Sequence, residues 1–341
     1  MLLNELIKEE KKNNRELYSS GPYWNYKNSR AIYEIKKKGL SNFRSTNTGI
    51  GSSFADNLVS DIRNELNLKG RIVGKIFSLP LVNKLFSNQL RITNGHIKNY
   101  LKNLDIVYRT NKSALALLER FKFENTTNFG CIQKFTHLDK EYSTLYLEMA
   151  DRINKLSLSF NFKNIKNFFE IGGGFGANIH FLVTNYPNIK KIIYLDAVPN
   201  IYVGTEYLKH HFKDKVKDFL YLKDLSEISF SKDNELEILC IPPWLIERLN
   251  VEIDHFHNAA SFVEMPKKVI KNYVGFIKKF KTKEISLISY DNFDTQTTFN
   301  PEELNNFFEN KLNIYWKSSL IEAYNKRLIY LTSNKIKQND I

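Results

Sequence analysis

The chain has 341 residues, 42% of them hydrophobic, which is enough to fill one large α/β core plus a smaller helical region and excludes a disordered chain. Its formal charge is +13, concentrated at the front: residues 1–100 hold 17 Lys and Arg against 8 Asp and Glu. A basic field favours an acidic partner, although a chain this rich in Lys, Asn and Ile also uses Lys simply to stay soluble.

The opening segment 1–10 turns charged before any apolar run of signal-peptide length, and no stretch approaches the roughly 18 apolar residues of a membrane span. A cytoplasmic location is therefore expected. Residues 29–38 carry a helical pattern stopped by Gly39, a favoured residue just past a helix end. Residues 42–53 are small, polar and glycine-bearing, unsuited to a core, and are expected as a surface connection or a flap. Helical patterns follow at 54–66, 96–121 and 142–158, the last placing Leu145, Met149, Ile153 and Leu156 on one stripe. Residues 1–160 thus predict a mainly helical cap. Cys131 and Cys240 have no second Cys or His at ligand spacing, so neither a disulfide framework nor a metal site is expected.

From residue 165 the texture changes to short apolar runs alternating with helical patterns. That alternation predicts a Rossmann-like α/β domain over 161–335, with a mostly parallel sheet of seven strands covered by helices. The strands are placed at 167–171, 191–195, 236–241, 253–258, 284–290, 315–321 and 327–332, with 220–222 as a weaker candidate. Helices are placed at 178–185, 200–212, 245–249, 267–280 and 301–312.

The run Glu170-Ile171-Gly172-Gly173-Gly174-Phe175-Gly176 leaves the first of these strands and enters a helix, with glycines where backbone must turn tightly and approach a ligand. The dinucleotide fingerprint needs its third glycine one residue later, where it seats a pyrophosphate on the helix N-terminus. The spacing here favours S-adenosylmethionine (SAM), which has no phosphate. Gly172, Gly174 and Gly176 become candidate cofactor contacts, and Glu170 suits the cationic amino group. Asp196 closes the next strand, where its carboxylate can accept hydrogen bonds from both ribose hydroxyls.

The strand at 236–241 runs into Pro242-Pro243-Trp244, and Trp244 is either an adenine-stacking residue or a core anchor. The strand at 253–258 adjoins the glycine-turn strand at the point where strand order reverses, the usual ligand crevice. Methyl transfer to a hydroxyl needs in-line positioning and usually a base. Glu264 and His257 are the candidate bases, Asn258 a candidate cofactor contact and Ser261 an acceptor contact. The structural alternatives are a helix-end acid for Glu264 and a satisfied buried histidine for His257.

These residues resemble the bacterial sugar O-methyltransferases associated with surface-polysaccharide loci. The resemblance is carried by Phe169 to Gly176, by Tyr194-Leu195-Asp196-Ala197-Val198-Pro199-Asn200 with Tyr207-Leu208, and most specifically by Asn258-Ala259-Ala260-Ser261-Phe262-Val263-Glu264-Met265-Pro266. Upstream, Tyr23-Trp24 and Asn42-Phe43-Arg44 also resemble the family's N-terminal pattern, so the likeness spans most of the chain. It implies a class I SAM-dependent methyltransferase acting on a sugar or glycan hydroxyl, nucleotide- or lipid-linked, the latter allowing peripheral membrane contact. Phe43 and Arg44 are expected to touch that acceptor, since guanidinium pairs with phosphate and an aromatic face packs on a sugar ring. Two competing expectations are a nucleic-acid or other small-molecule methyltransferase and a NAD-dependent oxidoreductase. The first lacks an Asn or Asp before Pro242-Pro243-Trp244, so no nucleic-acid partner is expected; the second is opposed by the displaced glycine. Asp291 and Asp294 could join a divalent-ion site but read as loop acids.

Overall fold

Apolar runs rich in Ile, Phe and Leu, too short for helices, become the strands of one sheet. The computed structural model describes residues 1–13, 16–41, 43–45, 116–130, 135–137, 140–290, 298–312, 316–323 and 326–334. The chain divides into two compact units, Met1–Lys36 with Arg152–Ile341, and Lys37–Asp151. Helix α1 (Leu2–Lys12) lies in the first, burying Leu2, Leu3 and Leu6, and α2 (Gly21–Lys38) begins there. The second holds α3 (Ala116–Arg120) and an antiparallel pair, β1 (Phe135–His137) and β2 (Lys140–Tyr142); α4 (Thr144–Leu156) crosses the boundary in sequence.

The sheet uses β3 (Asn167–Ile171), β4 (Lys191–Leu195), β5 (Val216–Lys217), β6 (Glu237–Ile241), β7 (His255–Ala259), β8 (Glu284–Tyr290), β9 (Trp316–Ala323) and β10 (Lys326–Asn334). Their spatial order is β5-β6-β4-β3-β7-β8-β10-β9, parallel throughout except β10, which is antiparallel to both β8 and β9. Intervening helices are α5 (Ala177–Asn185), α6 (Asn200–Phe212), α7 (Phe219–Leu222), α8 (Ser261–Glu264), α9 (Lys267–Lys279) and α10 (Pro301–Leu312). This is a Rossmann-like α/β fold. From β3 the chain steps outward to β4 and β6, then returns to β7 on the other side of β3. Strand order therefore reverses between β3 and β7, which opens a crevice at their carboxyl ends.

All seven expected strands form, and the short β5 adds an eighth. The weaker candidate at 220–222 is helix α7 instead, because the Asp218 carboxylate accepts from Tyr221 N at 3.1 Å and caps a helical turn. The helix expected at 29–38 starts earlier, at Gly21, and the one at 245–249 is a 3-10 turn, Pro243–Arg248. The patterns at 54–66 and most of 96–121 lie outside the described residues. No described helix is long and apolar enough to cross a membrane.

Central strands are buried on both faces: Phe168, Phe169, Ile192, Ile193, Leu239 and Ile241 all lie in the core, the continuous apolar pattern of a covered parallel sheet. Gly204 on α6 gives Tyr194 of β4 room to lie against the helix backbone. A Cβ at Gly204 would overlap the Tyr194 hydroxyl. Gly204→Ala should therefore cost about 1–3 kcal/mol by overpacking, seen as a lower urea midpoint at unchanged slope.

Candidate active site

The crevice is built first from backbone. Gly172, Gly174 and Gly176 take positive φ values of 73°, 62° and 85°, which glycine adopts without steric cost. Two of the turn's glycines also allow close approach. A Cβ on Gly172 would overlap Ser261 Oγ, and one on Gly173 would stand 2.6 Å from Glu170 Oε2. The turn is fastened to the end of β4: Gly172 N donates to Leu195 O at 2.8 Å, and Gly174 N to Asp196 Oδ2 at 2.9 Å. The Tyr194 hydroxyl donates to Gly174 O, with Asn200 O 3.1 Å away.

Two acids lie under this turn. Glu170 is buried; its Oε1 accepts from Asn178 Nδ2 at 2.9 Å, whereas Oε2 is buried with no hydrogen-bond partner among the described residues. Burial pushes its carboxyl up to about 8. Asp196 also accepts from Ala197 N at 2.7 Å, and burial, reinforced by the nearby Glu264 carboxylate, pushes it up to about 7. Both groups are hard to ionise because burial takes their charged forms out of water.

The end of β7 forms the opposite wall. Asn258 is buried, its Nδ2 donating to Ile171 O at 2.8 Å and to Ser261 Oγ, its Oδ1 accepting from Phe262 N at 3.1 Å. It braces the ends of β3 and β7 together. Ala260, next along, has φ 67°, a backbone conformation costly for any residue with a Cβ. Its N–H donates to Ile288 O at 2.6 Å, which ties the strained residue to β8. The chain then enters α8, where the partly exposed Glu264 accepts from Trp24 Nε1 at 3.1 Å.

The structure thus gathers Glu170, Gly172, Gly174, Gly176, Asp196, Asn258, Ser261 and Glu264 around one crevice. Trp244 follows β6 in the Pro243–Arg248 turn, buried, with its ring edge-on to Phe219 at 6.1 Å. His257, expected as a candidate base, is register partner to Glu170 inside the sheet and fully covered. Its Nδ1 lies 2.8 Å from Ser286 Oγ, which His255 Nε2 also reaches at 2.8 Å. Burial pushes its pKa down to about 3, which makes it a neutral and feeble proton acceptor.

A second correction concerns Phe43 and Arg44, expected on an exposed loop. Both are buried inside the Lys37–Asp151 unit. Arg44 Nη1 donates to Thr126 O at 2.6 Å and Nη2 to Ser143 Oγ at 2.7 Å, with the guanidinium 5.5 Å over the Tyr146 ring. Carbonyl and hydroxyl acceptors satisfy the charge, which is what lets an arginine enter a core. Sequence reasoning assigned Asn178, Tyr194 and Trp24 no role at the site, although Tyr194 and Trp24 belong to the stretches that carry the resemblance. Tyr194 had a signal, since it lies two residues before Asp196 on the same strand. Cys240 is buried, its thiol pushed up to about 12; Cys131, Asp291 and Asp294 lie outside the described residues.

No protein-family model matches the chain, and no curated protein matches it. Among solved structures, 56% of the chain is similar to 80% of a magnesium protoporphyrin IX methyltransferase from Synechocystis PCC 6803 with bound SAM, at 7% identity and TM-score 0.38. Another likeness joins 55% of the chain to 97% of the methyltransferase domain of bacterial CtHen1-CN, at 11% identity and TM-score 0.39. A third joins 56% of it to 53% of human N-acetylserotonin methyltransferase in complex with SAM, at 13% identity and TM-score 0.36.

The raised acids set the pH response of the ligand-free protein. In the unfolded chain Glu and Asp titrate near about 4.3 and 3.9, but in the fold Glu170 and Asp196 hold their protons to about 8 and about 7. Through these two acids the folded state binds more protons over that window, so their contribution to stability falls as pH rises from about 4 to about 8; above about 6.5 the buried His257 no longer opposes it. Urea unfolding at about pH 6.5 and about pH 8 should show this loss, and Glu170→Gln should lessen it, leaving the part due to Asp196; an unchanged pH slope in that variant would mean Glu170 is ionised at neutral pH.

Proposed function

We propose that this protein is a SAM-dependent methyltransferase whose acceptor is a sugar hydroxyl. The observation that supports the cofactor most directly is the buried Glu170 carboxylate, half of it unpartnered among the described residues, under a glycine turn tied to Asp196. Two buried acids at one turn suit a ligand that carries an ammonium and a sulfonium. Glu170 and the Gly172–Gly176 backbone would hold the methionine end, and Asp196, whose oxygens keep further lone pairs, would accept the ribose hydroxyls. Trp244 and its 3-10 turn would border the adenine, and Asn258 would keep the two strand ends in register. When bound, SAM supplies an electrophilic methyl group on a sulfonium.

The protein's own residues must then present a hydroxyl oxygen and take its proton. Glu264 is suited to this because it is partly exposed, projects from the segment after β7, and lies close enough to Asp196 to raise that acid. His257, neutral and covered, is left a packing role, and Phe43 and Arg44 are left out of the acceptor site. The sugar assignment rests on the resemblance carried by 258–266, and the basic N-terminal charge suits a nucleotide- or lipid-linked acceptor.

The test is transfer of labelled methyl from SAM to glycan and nucleotide-sugar fractions. Wild type should label a glycan fraction. Asp196→Ala should weaken SAM binding at least tenfold, the loss of about 1.4 kcal/mol. Glu264→Gln should bind SAM normally yet turn over about 10² to 10⁴ more slowly. Labelling confined to oligonucleotides would contradict the acceptor class, and near-normal turnover by Glu264→Gln would reduce that residue to a helix-end acid.

A further inference from the structure

Residues 16–24 precede the sheet by more than a hundred positions, yet they lie across the segments that follow β6 and β7. The Tyr18 hydroxyl donates to Glu247 Oε1 at 2.6 Å, in the turn after β6. Asn272 Nδ2 of α9 donates to Leu17 O at 3.4 Å, and Lys268 pairs with Glu16. At Gly21, with φ 78°, the chain passes so close to Pro266 that a Cβ would stand 3.0 Å from its Cδ. These contacts hold the start of α2 against the segment after β7. One turn later, Trp24 donates its indole N–H to Glu264 Oε2 at 3.1 Å.

We infer that Trp24 is a positioning residue for methyl transfer, holding the Glu264 carboxylate toward the acceptor hydroxyl; this rests on the reading of Glu264 as the group that meets that hydroxyl. Glu264 ends a four-residue helix and is partly exposed, and the indole N–H reaches its Oε2 from a different element, at 3.1 Å. An indole N–H is donor-only: it can restrain a carboxylate but cannot take the acceptor's proton itself. A hydrogen bond to a charged oxygen is stronger than a neutral one and favours the ionised form, the form a base needs. The strap is also tied down at Tyr18 and Gly21, by contacts that do not involve Glu264.

The test is a double-mutant cycle on the full chain with Trp24→Phe and Glu264→Ala, which keeps an aromatic ring at 24 while removing its N–H. Trp24→Phe should bind SAM as wild type does, lower kcat about tenfold with little change in the KM for SAM, and move the acid limb of the kcat profile to higher pH. In the Glu264→Ala background it should cost nothing further. Wild-type kcat in Trp24→Phe overturns the inference, and so does an equal loss in both backgrounds, which would show Trp24 acting other than through Glu264. Failure of Trp24→Phe to bind SAM overturns it too, by making the indole a fold element. If Glu264→Ala turns over normally, the Glu264 reading itself is wrong whatever Trp24 does.

Discussion

The arrangement depends on one buried carboxylate. Glu170 ends up beneath the glycine turn because β3 is covered on both faces and the turn folds back over its end, leaving Asn178 as its hydrogen-bond donor. A buried acid with an unpaired oxygen is expensive, and it persists where something else gains from it. Here Gly173 must lack a side chain so that backbone can pass over the carboxylate, and Asp196 and Tyr194 must reach across from β4 to hold the passing backbone down. The glycines, the second acid and the tyrosine follow from covering that one group.

The opposite wall obeys a different constraint. Strand order reverses between β3 and β7, so no helix crossover covers the gap between their ends, and side chains must bridge it. Asn258 does so with all its hydrogen-bonding atoms, to Ile171 O, Ser261 Oγ and Phe262 N. That bracing is what allows Ala260 to sit in a left-handed conformation and turn α8 back over the crevice. Glu264 arrives there as a consequence of the turn, and the N-terminal strap meets it from outside the sheet.

Much of this was legible in sequence because parallel strands buried on both faces are continuous apolar runs, and their helices keep a separate period. The turn at 172–176 and the acid at 196 were readable for the same reason: a strand end, a left-handed backbone and a carboxylate at the next strand end are local features. What escaped reading was set by distant partners. Residues 220–222 look like a strand until Asp218 caps them as a helix. Arg44 reads as a surface charge until Thr126 and Ser143 supply buried acceptors roughly a hundred positions away. His257 reads as a base until its burial beside Ser286 makes it neutral. The Trp24–Glu264 bond joins positions 240 apart and leaves no local pattern at all.

The central claim is that the crevice is an acidic cradle waiting for a cationic cofactor, and proton release on binding reads this directly. SAM should be titrated by calorimetry at pH 7 in two buffers of different ionisation heat. Cation binding should ionise Glu170 and Asp196, held up at about 8 and about 7, so the wild type should release protons as it binds, and Glu170→Gln should release fewer. Binding with no proton exchange, or no binding at all, would contradict the account.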